Sequence, residues 1–149
     1  MIVVELPGEP RGWARPRVRV ATPAKSRPFA QFFKDADTRA FEDALFWRAK
    51  AAMGPRPPLE GPVAVRVVAA MAVPVSWSRK DRDAALAGVI RPTGKPDWDN
   101  FAKMLDAFNG IVWTDDAQVV DGGVIKIYSE APSLRVEVKE AEPFLFAAA

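Results

Sequence analysis

A mixed α/β domain with a mixed sheet of about five strands and two or three helices is the fold class this sequence predicts, on three observations. Val63, Val65, Val67, Ala69, Met71 and Val73 alternate with other residues along one long half-buried strand. A helical-period run follows Asp35 and stops at Gly54. Leu134, Val136 and Val138 alternate with Arg135, Glu137 and Lys139, the pattern of a strand with one wet face. A length of 149 residues fits a single domain, spanning residues 1–149, with a core of its own.

The elements follow in order. Ile2 to Leu6 is short and β-branched and is broken by Pro7-Gly8, which makes a first strand. Prolines and six cations (Arg11, Arg15, Arg17, Arg19, Lys25, Arg27) mark residues 7–30 as extended or looping, with Val18 to Val20 as an edge strand. Asp35 or Asp37 caps a helix to about Met53, with Phe41, Leu45 and Ala49 inward, and Gly54 with three nearby prolines ends it. After the strand at 63–73, Ser78-Arg-Lys-Asp81 resembles a capping box for a short helix that Gly88 stops. Residues 91–96 form a loop that delivers a third helix, with Phe101, Leu105 and Phe108 buried and Asn109-Gly110 as its stop. Ile111 to Trp113, Val119 to Tyr128 and the run at Leu134 to Val138 complete the strands, and the terminal FLFAAA is left without an assignment.

The chain has neither histidine nor cysteine. Disulfides, thiolate or imidazole zinc sites, a Ser-His triad and a Cys-His pair are all excluded. Any bound metal must take oxygen ligands, which favours Mg²⁺, Mn²⁺ or Ca²⁺. Proton transfer falls to Asp, Glu, Lys, Tyr128 or metal-bound water. No apolar run is long enough to span a bilayer, and the first residues lack the features of a secretory signal, so the expected location is the cytoplasm. The net charge of +2 conceals a division: residues 1–96 hold 17 Lys/Arg against 9 Asp/Glu, and residues 97–149 hold 4 against 10. A basic front beside an acidic back suits a protein that grips a polyanion and holds cations, although a salt-bridged monomer would show the same division.

Between Lys95 and Val120 the chain places five aspartates and two lysines around one amphipathic helix. Unpaired carboxylates held close repel one another unless a proton or a cation joins them. Asp97 and Asp99 are two apart in a stretch expected to be extended, so both can face one cation. Lys103 lies one helical turn beyond Asp99 and reaches the same volume. If the strand at 111–113 pairs beside the helix start, one of Asp115 and Asp116 returns to this pair. Three carboxylates and a lysine then suit phosphodiester hydrolysis, in which metal ions ready water and a lysine stabilises developing charge. The competing reading makes the acids a helix cap and a turn. An EF-hand fails, because Ala102 stands where its glycine belongs.

The whole string, KPDWDNFAK…DAFNG…WTDDAQVV, resembles the RusA family of Holliday junction resolvases. The family pattern is a D-x-D-N-x-x-K helix start, then D-A-L-N-G, then D-D-x-Q-V. Arg15-Pro16-Arg17 also looks like the family's basic segment after the first strand. The resemblance implies a Mg²⁺-dependent (or Mn²⁺-dependent) homodimeric endonuclease that nicks four-way DNA junctions, with no small-molecule cofactor and no membrane partner. By position it makes Asp97, Asp99 and Asp116 the metal-binding acids, with Asp115 beside Asp116 as a further metal ligand, and Lys103 the catalytic cation. Asp106, Asn109 and Gln118 match the pattern as structural residues. In the family four steps separate the motif lysine from the helical aspartate; Lys103 to Asp106 is three, a change that a 3₁₀ turn or an early helix end would absorb.

Arg15, Arg17, Arg79, Lys80, Arg82 and Lys95 are the expected phosphate contacts, and Trp13 and Trp77 the tryptophans best placed to meet DNA. Two other readings compete. Asp97 with Glu137 and Lys139 superficially fits a restriction-type PD-(D/E)xK nuclease, and a basic DNA-binding module without catalysis would need the acids only as structure.

Overall fold

The computed structural model describes residues 1–146. Four strands form the main sheet: β1 (Ile2–Pro7), β4 (Val63–Ala72), β5 (Val119–Ser129) and β6 (Ser133–Glu140), in the order β1-β6-β4-β5. β6 runs antiparallel to both β1 and β4, whereas β4 and β5 are parallel. Parallel neighbours cannot be joined by a tight turn. The chain therefore leaves β4, crosses through residues 73–118 and returns to β5. That crossover contains α2 (Arg79–Leu86) and α3 (Trp98–Lys103), and with them every acid of the motif.

The alternation read from the sequence sets the faces. Val63, Val65, Val67 and Ala69 of β4, and Leu134, Val136 and Val138 of β6, point to one side and are almost wholly buried. α1 (Ala36–Met53) and the motif segment cover that side, through Leu45, Ala49, Phe101, Met104 and Phe108. Asp35 is the N-cap of α1: its carboxylate accepts from Thr38 N at 2.9 Å and from the Thr38 hydroxyl at 2.7 Å. Gly54, at φ 58°, turns the chain out in a conformation that side chains disfavour. Ser78 caps α2 by accepting from Asp81 N at 3.1 Å, as its spacing predicts.

Three expectations need correction. The main sheet has four strands, not about five, because Ile111–Val112–Trp113 forms no ladder. Gly110 N donates to Trp113 O, and Ile111 N and Val112 N both donate to Phe108 O, so the run is a tight turn that buries Val112 and Trp113. The edge strand near Val18 is real, as β2 (Arg17–Ala21), but its partner β3 (Phe29–Phe33) was not foreseen; the two make a separate antiparallel ribbon. The motif helix is shorter than its apolar pattern suggests. α3 ends at Lys103, and Met104–Phe108 continues as a 3₁₀ helix, the change anticipated for the missing residue before Asp106. Phe101, Leu105 and Phe108 are buried as expected. Phe144, Leu145 and Phe146 are exposed, and the last three residues of FLFAAA lie outside the described residues. Among the described residues, no helix is long and apolar enough to cross a membrane.

Candidate active site

Asp97 and Asp99 flank the first residue of α3. Asp97 occupies the N-cap with extended backbone (φ −68°, ψ 151°), and Asp99 is the second helical residue. Both line one cavity, from a helix start and not from the expected extended stretch. Asp97 makes no capping hydrogen bond with its side chain, so capping does not use up its carboxylate. Asp99 binds Lys103 Nζ at 2.8 Å, one turn along the helix. That hydrogen bond is the main reason the Asp99 carboxyl is held below the usual carboxylate range. Asn100 Oδ1 stands 3.5 Å from the same ammonium.

A single open cavity of about 560 Å³ is lined by Asp97, Asp99, Asn100 and Lys103 together with Arg15 and Lys95. Two acids and three cations around one volume suit a metal ion beside a phosphate. The ligand atoms available are all hard oxygens, the donor set Mg²⁺ prefers. Mg²⁺ is commonly held by one or two carboxylates plus substrate phosphates, so two aspartates are a sufficient protein share.

The second acid block is placed differently. Among the described residues, no three acidic side chains are grouped closely enough to hold one metal ion. The expected convergence of Asp97, Asp99 and Asp116 is therefore not formed within this chain. Asp115 is the N-cap of the 3₁₀ turn Asp116–Gln118: it accepts from Ala117 N at 2.8 Å, and Gln118 Oε1 accepts from Thr114 N and Asp115 N. Turn chemistry explains Asp115, and Asp116 is left free of it. Asp116 lines a neighbouring cavity of about 350 Å³ with Trp98, Ala102, Leu105 and Asp106. Residues 98, 102 and 105 follow one stripe of the motif segment, and 99 and 103 follow the next. The two acid groups thus lie on adjacent flanks of one short helix.

Asp106 is held above the usual carboxylate range, first by partial burial and then by the Asp116 charge. A carboxyl raised in the folded state binds protons more readily there than in the unfolded chain, so its charge costs stability as pH rises. Asp106→Asn is accordingly expected to raise the melting temperature in EDTA at neutral pH, with the gain fading toward about pH 4. A gain that persisted unchanged on acidification would contradict this.

Two residues help to build the site through contacts that the sequence does not suggest. Lys126 of β5 donates from its ammonium to Gly94 O and to Pro96 O, the latter at 2.9 Å, while Arg91 Nε donates to Lys126 O at 2.9 Å. These bonds tie the 91–96 loop to the sheet and place Asp97. Lys126→Met keeps the stem and removes the donors. If the site cleaves DNA as the sequence resemblance implies, the substitution is expected to slow cleavage by about tenfold to a hundredfold, because displacement of about 1 Å at a reacting centre has that cost. Wild-type cleavage by a folded Lys126→Met protein would show that the loop needs no such anchor. Trp13 is the other such residue. Its N–H donates to Asn100 O at 2.8 Å, and the Lys103 ammonium lies 5.4 Å from its ring centroid.

Of the expected DNA contacts, Arg15 and Lys95 line the acid cavity, Arg17 is on β2, and Arg79, Lys80 and Arg82 are on α2. Among the described residues, none of the six is in an ion pair. Asn109 and Gln118 are structural, as expected: Asn109 Oδ1 accepts from Trp113 Nε1 at 2.7 Å, and Gln118 Nε2 donates to Leu59 O and Gly61 O. Glu137 and Lys139 lie on the sheet face turned away from α3, where Arg135 and Glu142 pair with them. Strand alternation puts the buried Val136 and Val138 toward the helices, so the restriction-type arrangement with Asp97 does not form.

A small α/β domain with paired acids and cations at one helix start suits phosphodiester chemistry. The chain belongs to the RusA endodeoxyribonuclease family, whose model, "Endodeoxyribonuclease RusA", matches residues 7–139. It is also similar to "Uncharacterized protein YqaN" of Bacillus subtilis (strain 168), at 39% identity over 137 residues, covering 89% of this chain and 87% of that protein.

Proposed function

We propose that the protein is a Mg²⁺-dependent, structure-specific endodeoxyribonuclease that resolves four-way DNA junctions by paired nicks during recombination and repair. The observation that carries this reading is the shared cavity of Asp97, Asp99 and Lys103 with Arg15 and Lys95. Asp97 and Asp99 are the residues that would hold Mg²⁺ (or Mn²⁺), and the ion would supply Lewis-acid charge for phosphodiester hydrolysis. Lys103 stands beside them as the cation facing charge that builds on the phosphate oxygens. Arg15 and Lys95 hold the backbone at the cavity mouth, while Arg17 and α2, through Arg79, Lys80 and Arg82, engage the arms.

Asp116 belongs to the proposed set through the family motif and not through contact with Asp97 or Asp99. Nicking by Asp116→Asn at the wild-type rate would remove it. Asp115 contributes through the turn that presents Asp116. Two opposed cuts on a two-fold junction call for two sites related by a two-fold axis, so the active species is a homodimer. Light scattering that gives a 16.3 kDa particle at micromolar concentration, with junction present, would refute the dimer.

The deciding experiment is a nicking assay on a mobile four-way junction beside linear duplex, with Mg²⁺ and with EDTA. Paired nicks on the junction alone, lost in EDTA, are expected. Tight junction binding without any nick in Mg²⁺ or Mn²⁺ would support the non-catalytic module instead.

A further inference from the structure

Residues 12–15 cross the start of α3 at close range. A Cβ on Gly12 would stand 2.6 Å from the Pro96 Cβ and 3.1 Å from the Asn100 Cβ, so only glycine allows this approach. One residue on, Trp13 N donates to Asn100 O at 2.8 Å, and the indole packs against the hydrophobic core. The ring is thus fixed by its backbone bond and by its packing. The Lys103 ammonium lies 5.4 Å from its centroid, within reach of the attraction between a cation and an aromatic face.

We propose that Trp13 is the positioning residue for Lys103, its indole acting as an uncharged platform that keeps the ammonium over the Asp97–Asp99 cavity. The inference rests on the proposed role of Lys103 in cleavage. A lysine has four flexible side-chain bonds, and ordering it has an entropic cost. Asp99 anchors it at 2.8 Å, but the same carboxylate is proposed to serve a divalent cation. An aromatic ring attracts the ammonium without competing for the carboxylates, so Lys103 stays in place when Asp99 is otherwise engaged. Nothing in the spacing of Trp13 and Lys103 along the chain suggests the pairing; the crossing at Gly12 creates it.

The test uses the full chain with Trp13→Leu, which keeps apolar bulk, and Trp13→Phe, which keeps an aromatic face. In NMR spectra the Lys103 side-chain methylene protons should be shifted upfield by the ring in wild type and should return to ordinary positions in Trp13→Leu. Single-turnover cleavage at saturating enzyme should fall by about tenfold in Trp13→Leu, and Trp13→Phe should restore it to within about threefold. Junction affinity measured in EDTA should be unchanged in both. Added to Lys103→Met, Trp13→Leu should have no further effect. An equal loss in the Lys103→Met background would overturn the proposal, as would a loss confined to junction affinity, which would mean that the ring stacks on DNA. Unshifted Lys103 resonances in wild type would overturn it as well. A wild type that cuts no junction would end the cleavage reading, while the resonances would still decide whether the indole holds the ammonium.

Discussion

Asp99→Asn is expected to bind a four-way junction with wild-type affinity and to cut it at least about 10²–10³-fold more slowly, the scale at which single groups that stabilise charge at a reacting centre act. The substitution changes no shape and removes one charge. Asn still accepts a hydrogen bond from Lys103 Nζ, so the helix start and the lysine keep their places. What disappears is half of the negative charge that the N-cap and the first turn of α3 present to a divalent ion. Asp115→Asn is the matched control. Asp115 accepts from Ala117 N as an N-cap, and asparagine caps equally well, so cleavage and stability should both stay near wild type. The two variants carry the same chemical change sixteen positions apart in sequence. Equal cleavage by both in Mg²⁺, measured at single turnover with binding followed in EDTA, would mean that the acids at the start of α3 do not serve catalysis.

That contrast also marks what the sequence can tell. Asp99 and Lys103 are four apart on a helix, and a local rule brings them together. The same holds for Asp35 with Thr38 and Ser78 with Asp81, and for the alternation of β4 and β6. Each is decided by neighbours within a turn or a pleat. The contacts of Trp13 and Lys126 are not legible in the sequence, although Trp13 itself stands out beside its arginines, because their partners, Asn100 and Pro96, come from other elements and no periodicity links them. β3 was missed for a related reason. Phe29-Ala-Gln-Phe-Phe33 follows a proline and has no clean alternation, and its strand character exists only opposite Arg17–Ala21. The approach of Asp116 to Asp97 was inferred from a strand at 111–113 that does not form. With the chain turning tightly there, the free acid arrives on the flank of α3 that carries Trp98 and Ala102, opposite Asp106.

The tight turn makes Trp113 the residue on which the second acid block depends most for its shape. Its side chain is fully buried, its ring lies 5.4 Å from that of Phe108, and its indole N–H donates to Asn109 Oδ1 at 2.7 Å. Its carbonyl accepts from Gly110 N at 2.7 Å. No sheet ladder supports residues 109–113, so packing around this ring takes that part. Trp113→Ala is expected to lower unfolding free energy by about 3–5 kcal/mol, the usual cost of removing a buried Trp or Phe. Small domains have only about 5–15 kcal/mol in total, so this variant should be partly unfolded at moderate temperature. Trp113→Phe keeps most of the packing and loses the bond to Asn109, whose oxygen can turn to water; a cost of about 1 kcal/mol is expected. Urea titration with an unchanged slope would separate the two, because lost packing moves the midpoint and not the surface exposed on unfolding. A Trp113→Ala cost below about 1 kcal/mol would mean that the turn holds its form through its backbone bonds alone. The acid at position 116 would then owe its place to Gln118, which clamps Leu59, Gly61, Thr114 and Asp115, and not to the core beneath it.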